Sequence, residues 1–415
     1  MKKYFHFLVL FVILILAASI QAQVTAQWRG IDRTGIYNEK NLLKKWPADG
    51  PALLWSIPDI GNGYGAPVIT SDRIYITGEK DSTCYLYAFD LRGKLIWKAD
   101  CGKEWVKSYP GSRSTPTIAG DLIYVCSGLG NLSCFETATG KKKFTLDMIR
   151  DLRGQFTMFG HSESPAIDGD KIFLVPGGKY SNIVALNRFT EKVLWVCSGN
   201  GDRSGYNSPL LISLPQRKIL VTFTAYTLFG IDTETGKILW KHDQDNIPPD
   251  KREPGNGDTH ANTVFFEDGF LYYIAGDGNG AVKLELSPDG NHIKQIWRNK
   301  EIDNYMGGFV KIGKYIYSCV SEKKELVSID TETGKISGSL KIGTGTIIFA
   351  DGMLYYYNQQ GVMNLVRPGN GKPELISKFK ITAGTKEHFS HPVIHDGVLY
   401  IRHGSALQAY NIKNN

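Results

Sequence analysis

No two of the six cysteines are adjacent, and no Cys-x-x-Cys-His stretch occurs anywhere in the 415 residues. The second absence excludes a covalently attached c-type haem. Charge is thin as well: 48 basic against 41 acidic residues give a formal +7, and Lys2 and Lys3 at the extreme start belong to that surplus. The basic residues are scattered, so the electrostatic footprint of a nucleic-acid-binding domain is missing. No Gly-x-Ser-x-Gly, His-Glu-x-x-His or phosphate-cradling glycine loop is present, which leaves hydrolase and nucleotide chemistry without support. Beyond the first residues, no apolar run is long enough to span a bilayer.

The single long apolar run opens the chain. Lys2 and Lys3 form a basic start, Phe7–Ala18 an apolar centre, and Ile20-Gln21-Ala22 a small-residue cleavage site. This pattern predicts a secretory signal over 1–22 and one exported domain over 23–415, periplasmic or secreted, with no transmembrane anchor after cleavage. No cysteine lies near the cleavage point to carry a lipid. Cys84, Cys101, Cys126, Cys134, Cys197 and Cys319 are then in a compartment that permits disulfides. Cys126 and Cys134 fall on successive predicted strands, as cross-strand neighbours would.

What fills the rest is repetition. A Pro-led apolar run, an Asp-Gly-type turn, a tyrosine-rich strand, another strand, then Thr-Gly-Lys and a Trp recur eight times. Ala66-Pro67-Val68-Ile69 through Trp97 and Ser208-Pro209-Leu210-Leu211 through Trp240 are clear copies. The landmark residues Tyr75, Tyr124, Phe173, Leu220, Tyr272, Tyr317, Tyr355 and Tyr400 are 38 to 52 residues apart. One such unit cannot bury its own apolar faces, so the units must stack. Spacing and strand count predict an all-β fold, an eight-bladed β-propeller of four-stranded blades. The last repeat stops at Asn411-Ile412 without its Trp strand, while Pro51-Ala52-Leu53-Leu54-Trp55 is an orphan fourth strand near the start. Pairing them closes the ring and removes an exposed edge. The Trp residues are then packing elements between blades. Gly338 and Pro373 replace them in the sixth and seventh units, where looser packing is expected.

Residues just before each innermost strand face the mouth of a propeller channel. Four positions before the Pro-type residue lie His161, His260 and His388; three before lie Tyr64, Arg113, Tyr206 and Met306; two before lie Glu163, Asn207 and Asn262. Wet, polar loops explain such columns without any ligand. Three chemistries also fit them. Glu163, Asn207 and Asn262 supply the oxygen set that Ca²⁺ prefers. The three histidines suit a transition metal, provided they converge across the channel. Aromatic faces and hydrogen-bonding groups suit a sugar or a peptide, with no reaction at all. Asp258 and Asp277 are the nearest candidates for a base, and the long connection Asp243–Asp258 and the segment Lys103–Ser112 are candidate rims.

The Asp-x-x-Thr-Gly-Lys-x-x-Trp ending, as in Asp232–Trp240, resembles the repeats of the pyrroloquinoline-quinone (PQQ) propeller family from Pro51 to Ile412, and the opening Gln27-Trp28-Arg29-Gly30-Ile31-Asp32-Arg33-Thr34-Gly35 resembles the leader of its exported members. That resemblance implies one of two functions. The first is a scaffold that binds protein or carbohydrate at its channel face, as the propeller of the outer-membrane barrel-assembly machinery does with protein. The second is a PQQ- and Ca²⁺-dependent dehydrogenase of an alcohol or sugar, with Arg113 on the quinone and Tyr64, Tyr206, His161, His260 and His388 around it. The quinoprotein alcohol dehydrogenases carry adjacent paired cysteines and large loop insertions, and this chain has neither. The scaffold reading is therefore preferred, and a monomer is expected.

Overall fold

A computed structural model describes residues 24–414. The expected signal over 1–22 lies outside the described residues. Eight sheets follow one another in chain order, each with a core of four antiparallel strands, from the first blade at Val68–Lys103 to the eighth at Val393–Asn411. Sheets stack face to face, so the middle strands are covered on both sides and read as continuous apolar runs. Leu122–Cys126 is buried at every position. The outermost strands see solvent and alternate, as Val193–Cys197 does. At Asp268-Gly269, Asp351-Gly352 and Asp396-Gly397 both turn residues have φ between 47° and 81°, the left-handed pair a two-residue hairpin needs. In the third blade the turn falls one residue later than the sequence suggests: Asp168 ends its strand, and Gly169-Asp170 make the bend.

The repeated Thr-Gly-Lys and the repeated Trp are two halves of one contact between blades. Trp97, Trp195 and Trp297 donate their indole N–H to Thr137 O, Thr233 O and Thr331 O of the following blade, at 3.1, 2.9 and 3.0 Å. The adjoining glycine is where the ring lies. A Cβ on Gly140, Gly236 or Gly334 would stand 2.6–2.7 Å from the indole. The seam between sixth and seventh blades is not loose, contrary to expectation. Gly338 instead lets backbone approach backbone, a Cβ there standing 2.6 Å from Gly371 O. Tyr317 locks the same seam, its hydroxyl donating to Pro368 O and accepting from Gly371 N, both at 3.0 Å.

The orphan strand closes the ring as its pattern predicts. Ala52–Ile57 pairs antiparallel with Ala406–Asn411, with Ala52 opposite Asn411. Trp55 carries the indole contact across the closure, donating to Leu91 O at 3.0 Å. The fully buried Arg402 ties the eighth blade to the first through Thr77 O (2.7 Å), Gly65 O (3.1 Å) and Gly61 O (3.2 Å).

The segment ahead of the ring crosses the channel. Val24–Ala26 pairs with the inner strand of the second blade, and Ile36–Tyr37 runs parallel to that of the seventh. Between them, Arg33 donates to Ser164 O (3.0 Å) and Pro165 O (2.8 Å) of the third blade. Arg29 donates to Phe309 O (2.5 Å) of the sixth and Ile347 O (2.9 Å) of the seventh. The opening motif is thus a strap that spans the channel. All six cysteines are buried and free. Cys126 stands opposite Leu132 and Cys134 opposite Tyr124, so those two do not face each other.

Candidate functional site

On one side of the strap the channel opens into a cavity of about 410 Å³. Its lining follows strand periodicity. The column three residues before the Pro-type position (Tyr64, Arg113, Ser162, Tyr206, Ala261, Met306 and Phe389) lines it in every blade but the seventh. The strap adds Trp28, and the rim loops add Tyr109 and Phe159. Successive side chains on extended backbone point opposite ways, so the neighbouring columns are mostly directed elsewhere.

The rings form a connected belt. Tyr64 to Phe389, Phe389 to Tyr109, Tyr109 to Phe159 and Phe159 to Tyr206 have centroids 5.4, 6.0, 6.4 and 6.0 Å apart, with planes tilted by 42–60°. Three residues of the mouth hold left-handed backbone: Tyr109 at φ 45°, Tyr206 at 71° and Asp277 at 58°. Such conformations cost of order 1 kcal/mol or more and persist where surrounding contacts fix them. For Tyr206 those contacts are Ser162 Oγ donating to its carbonyl (2.7 Å) and its hydroxyl accepting from Met158 N (3.1 Å). Arg113 stands 6.0 Å over the Tyr64 ring and donates to Gly111 O, Ser108 O and Tyr109 O at 2.5, 2.7 and 2.9 Å, which shapes the rim loop. Burial lowers its pKa. Tyr64 donates to Glu387 at 2.7 Å. Asp277 also lines the cavity; burial raises its carboxyl pKa, and Oδ2 accepts from Thr259 N at 3.0 Å. Asp258 is spent on a buried ion pair with Arg203 at 2.8 Å.

The structure thereby divides the predicted site residues. Tyr64, Arg113 and Tyr206 come together at the mouth. His161, His260 and His388 do not line the cavity and do not converge. His161 Nε2 bonds Gln155 O (3.2 Å), and His260 Nε2 bonds Ala225 O (2.8 Å). His388 stacks on His403 at 3.6 Å and bonds the Tyr357 hydroxyl. Burial lowers all three to about 4, so they are neutral. Among the described residues no group of three His, Cys, Asp or Glu is placed to hold a metal ion.

Glu163, Asn207 and Asn262 are buried and bind backbone instead. Glu163 accepts from Val175 N (3.1 and 3.2 Å), Asn207 Oδ1 from Phe223 N (3.1 Å), and Asn262 Oδ1 from Gly308 N (2.8 Å). Each oxygen that a cation would need already holds an N–H. Burial raises Glu163 to about 7, and the charge acting on it is that of Arg33 in the strap. The strap's Trp28 and the rim's Phe159 were not among the candidates, whereas Tyr109 lies within the candidate rim Lys103–Ser112. Phe389 was within reach, because it continues the column of Tyr64, Arg113 and Tyr206.

Fold and mouth define a class: a PQQ-like eight-bladed β-propeller whose channel is crossed by its own N-terminal strap beneath an aromatic cavity. Residues 82–340 match the PQQ_2 family, described as outer membrane protein assembly factor BamB, and the chain belongs to that family. It is 22% identical over 307 residues to outer membrane protein assembly factor BamB of Shewanella oneidensis, covering 71% of this chain and 69% of that one. The crystal structure of BamB from Moraxella catarrhalis superposes with a TM-score of 0.63 at 12% identity, over 87% of this chain and 99% of that one. A europium-containing methanol dehydrogenase superposes with a TM-score of 0.67 at 11% identity, over 93% and 90%. At such identities these superpositions show the fold.

The residues present do not fit a quinone held on a cation. The expected oxygen donors Glu163, Asn207 and Asn262 are bonded to backbone N–H groups and are absent from the cavity wall.

Proposed function

We propose that this chain is an exported binding scaffold that takes an apolar segment of a partner protein at its channel mouth. The observation that carries this reading is exposed apolar surface continuous with the cavity. Tyr109, Phe156, Met158 and Met306 are 37–52% exposed around the mouth. Phe156 and Met158 share a second hollow with Phe159, whose ring also walls the first. Contiguous exposed apolar residues beside a pocket mark an interaction surface. Unbranched methionines at its edge suit a partner that must be accommodated rather than matched. Membership of a family described as an assembly factor supports a protein partner, and the signal pattern of 1–22 supports export to a periplasmic or extracellular compartment. Tyr64, Arg113 and Tyr206 are the proposed contact residues, Arg113 holding the rim and the rings covering the ligand.

The test is a titration of the purified mature chain with extended peptides rich in aromatic and aliphatic residues, read by the fluorescence of Trp28 and Trp105. Saturable binding lost in Tyr206→Ala and in Met158→Asp supports the reading. A glycan array that binds where peptides do not would transfer the mouth to carbohydrate. Micromolar binding of PQQ with Ca²⁺, lost in Glu163→Gln, would restore the dehydrogenase reading.

A further inference from the structure

Cys84 and Cys101 lie on the third and outer strands of the first blade, Thr83–Asp90 and Leu95–Lys103. The ladder pairs Cys84 with Gly102 and Tyr85 with Asp100, which leaves Cys101 as the extra residue of a bulge. A bulge sets two residues of one strand against one of its partner and re-aims their side chains. Here it brings Cys101 to the side occupied by Cys84. Both are 0% exposed, both belong to the same core cluster, and Cys101 is the chief neighbour raising the pKa of the Cys84 thiol. Gly102, directly across from Cys84, has no side chain to separate them.

The neighbouring carboxylate links this pair to the mouth. Glu104, 2% exposed, begins the rim loop. Its Oε1 accepts from Trp105 N (2.8 Å) and from Gly128 N of the next blade (2.5 Å). Its Oε2 is buried without a conventional hydrogen-bond partner, on the side where the Cys84 thiol lies. One short stretch therefore holds two apposed thiols, an acid, and the root of the loop that carries Tyr109 and Arg113.

We propose that Cys84 and Cys101 are a disulfide site, oxidised as the first blade closes, and that the bond fixes the root of the rim loop. With the edge strand open, the Cys84 thiol loses its proton to solvent, its thiolate attacks a disulfide of the oxidant, and the oxidant thiolate released takes up a proton. The Cys101 thiolate then attacks Cys84 Sγ and releases the second. Two S–H bonds are replaced by one S–S bond, and two electrons and two protons pass to the oxidant disulfide. In the closed blade both thiols are shielded from solvent, so exchange takes place during folding or while the outer edge strand is open. The physiological oxidant rests on the export reading; the pairing itself does not.

The experiment is refolding of the full mature chain in glutathione redox buffer, acid quenching, alkylation in denaturant and peptide mass analysis. Expected are a linked peptide containing Cys84 and Cys101, a loss of about 2 Da, and four alkylated thiols. Cys84→Ser should leave five alkylated thiols. Six alkylated thiols under oxidising conditions, or Cys84 linked to any other cysteine, would overturn the site. Trypsin cleavage after the exposed Lys103 and Lys107 reads the loop. It should slow severalfold on oxidation of the wild type and not of Cys84→Ser. Equal rates with the disulfide formed would overturn its control of the rim. Neither readout uses a mouth ligand, so failure here is distinct from failure of the binding function.

Discussion

Arg33 carries its charge into the channel on two carbonyls of the third blade and on Gln27 Oε1, at 2.8–3.0 Å. Burial lowers its pKa to about 9, and the carboxylate acting on it is Glu163. A guanidinium in such a place has value chiefly because its removal strands acceptors that nothing else can satisfy. Arg33→Met should therefore cost about 2–4 kcal/mol of unfolding free energy in denaturant titration. Glu163→Gln should cost less, and the double variant should lose less than the sum of the two. Strict additivity would mean that strap and third blade are energetically independent. The same pair shows why the functional columns were only partly legible. Type and blade position marked Glu163, Asn207 and Asn262, but one residue of phase decides between facing the channel and bonding the next strand. A carboxylate among backbone donors reads, in one dimension, much like a carboxylate awaiting a cation.

At the scale of elements, the seam between blades was legible in both halves without its geometry. The repeated Thr-Gly-Lys promised a turn, and the repeated Trp promised packing. Neither announced that Trp195 lies on Gly236 of the following blade. Two glycine substitutions separate these causes. Gly269 has φ 81° with nothing within 4 Å of an added Cβ, so Gly269→Ala meets only the left-handed backbone cost, about 1–2 kcal/mol. Gly236 has φ 71° and an indole 2.7 Å from that Cβ, so Gly236→Ala adds a steric term and should lose roughly 1–3 kcal/mol more. Equal losses in chemical denaturation would remove the seam from the account. The strap was less legible still, because its partners are main-chain carbonyls 131 to 318 residues away and carry no side-chain signature.

The whole molecule sums its buried titratable groups into a pH profile. His161, His260 and His388 are lowered to about 4 by burial, while burial raises Glu104 and Glu163 to about 7. From pH 4 to 6.5 the unfolded histidines bind protons that the folded ones refuse, so their contribution to stability rises with pH. Between pH 4.5 and 7 the two carboxyls act oppositely, because the folded state keeps their protons longer. His242 and His391 are lowered by burial as well, and Asp202, Asp277 and Asp303, the last to about 6, are raised by it. The two sets oppose each other across pH 4.5 to 6.5, so the part of any one group is read from its own variant. His260→Gln should lower the gain in unfolding free energy, or deepen the loss, between denaturant melts at pH 5 and pH 7; an unchanged difference would refute its part.

The closure also determines how the protein answers a pull. Ala52 faces Asn411, so tension applied between strand Ala52–Ile57 and the chain's last strand meets at one end of their shared ladder. Bonds in that geometry open one after another, like a zipper, rather than resisting together in shear. The strap relieves this weak point. A load entering from residue 24 must first break the pairing of Val24–Ala26 with the second blade and then the carbonyl grips of Arg29 and Arg33 on three further blades before any force reaches Ala52. The strap is thus a clamp across the ring that takes a load from that end before the closure does.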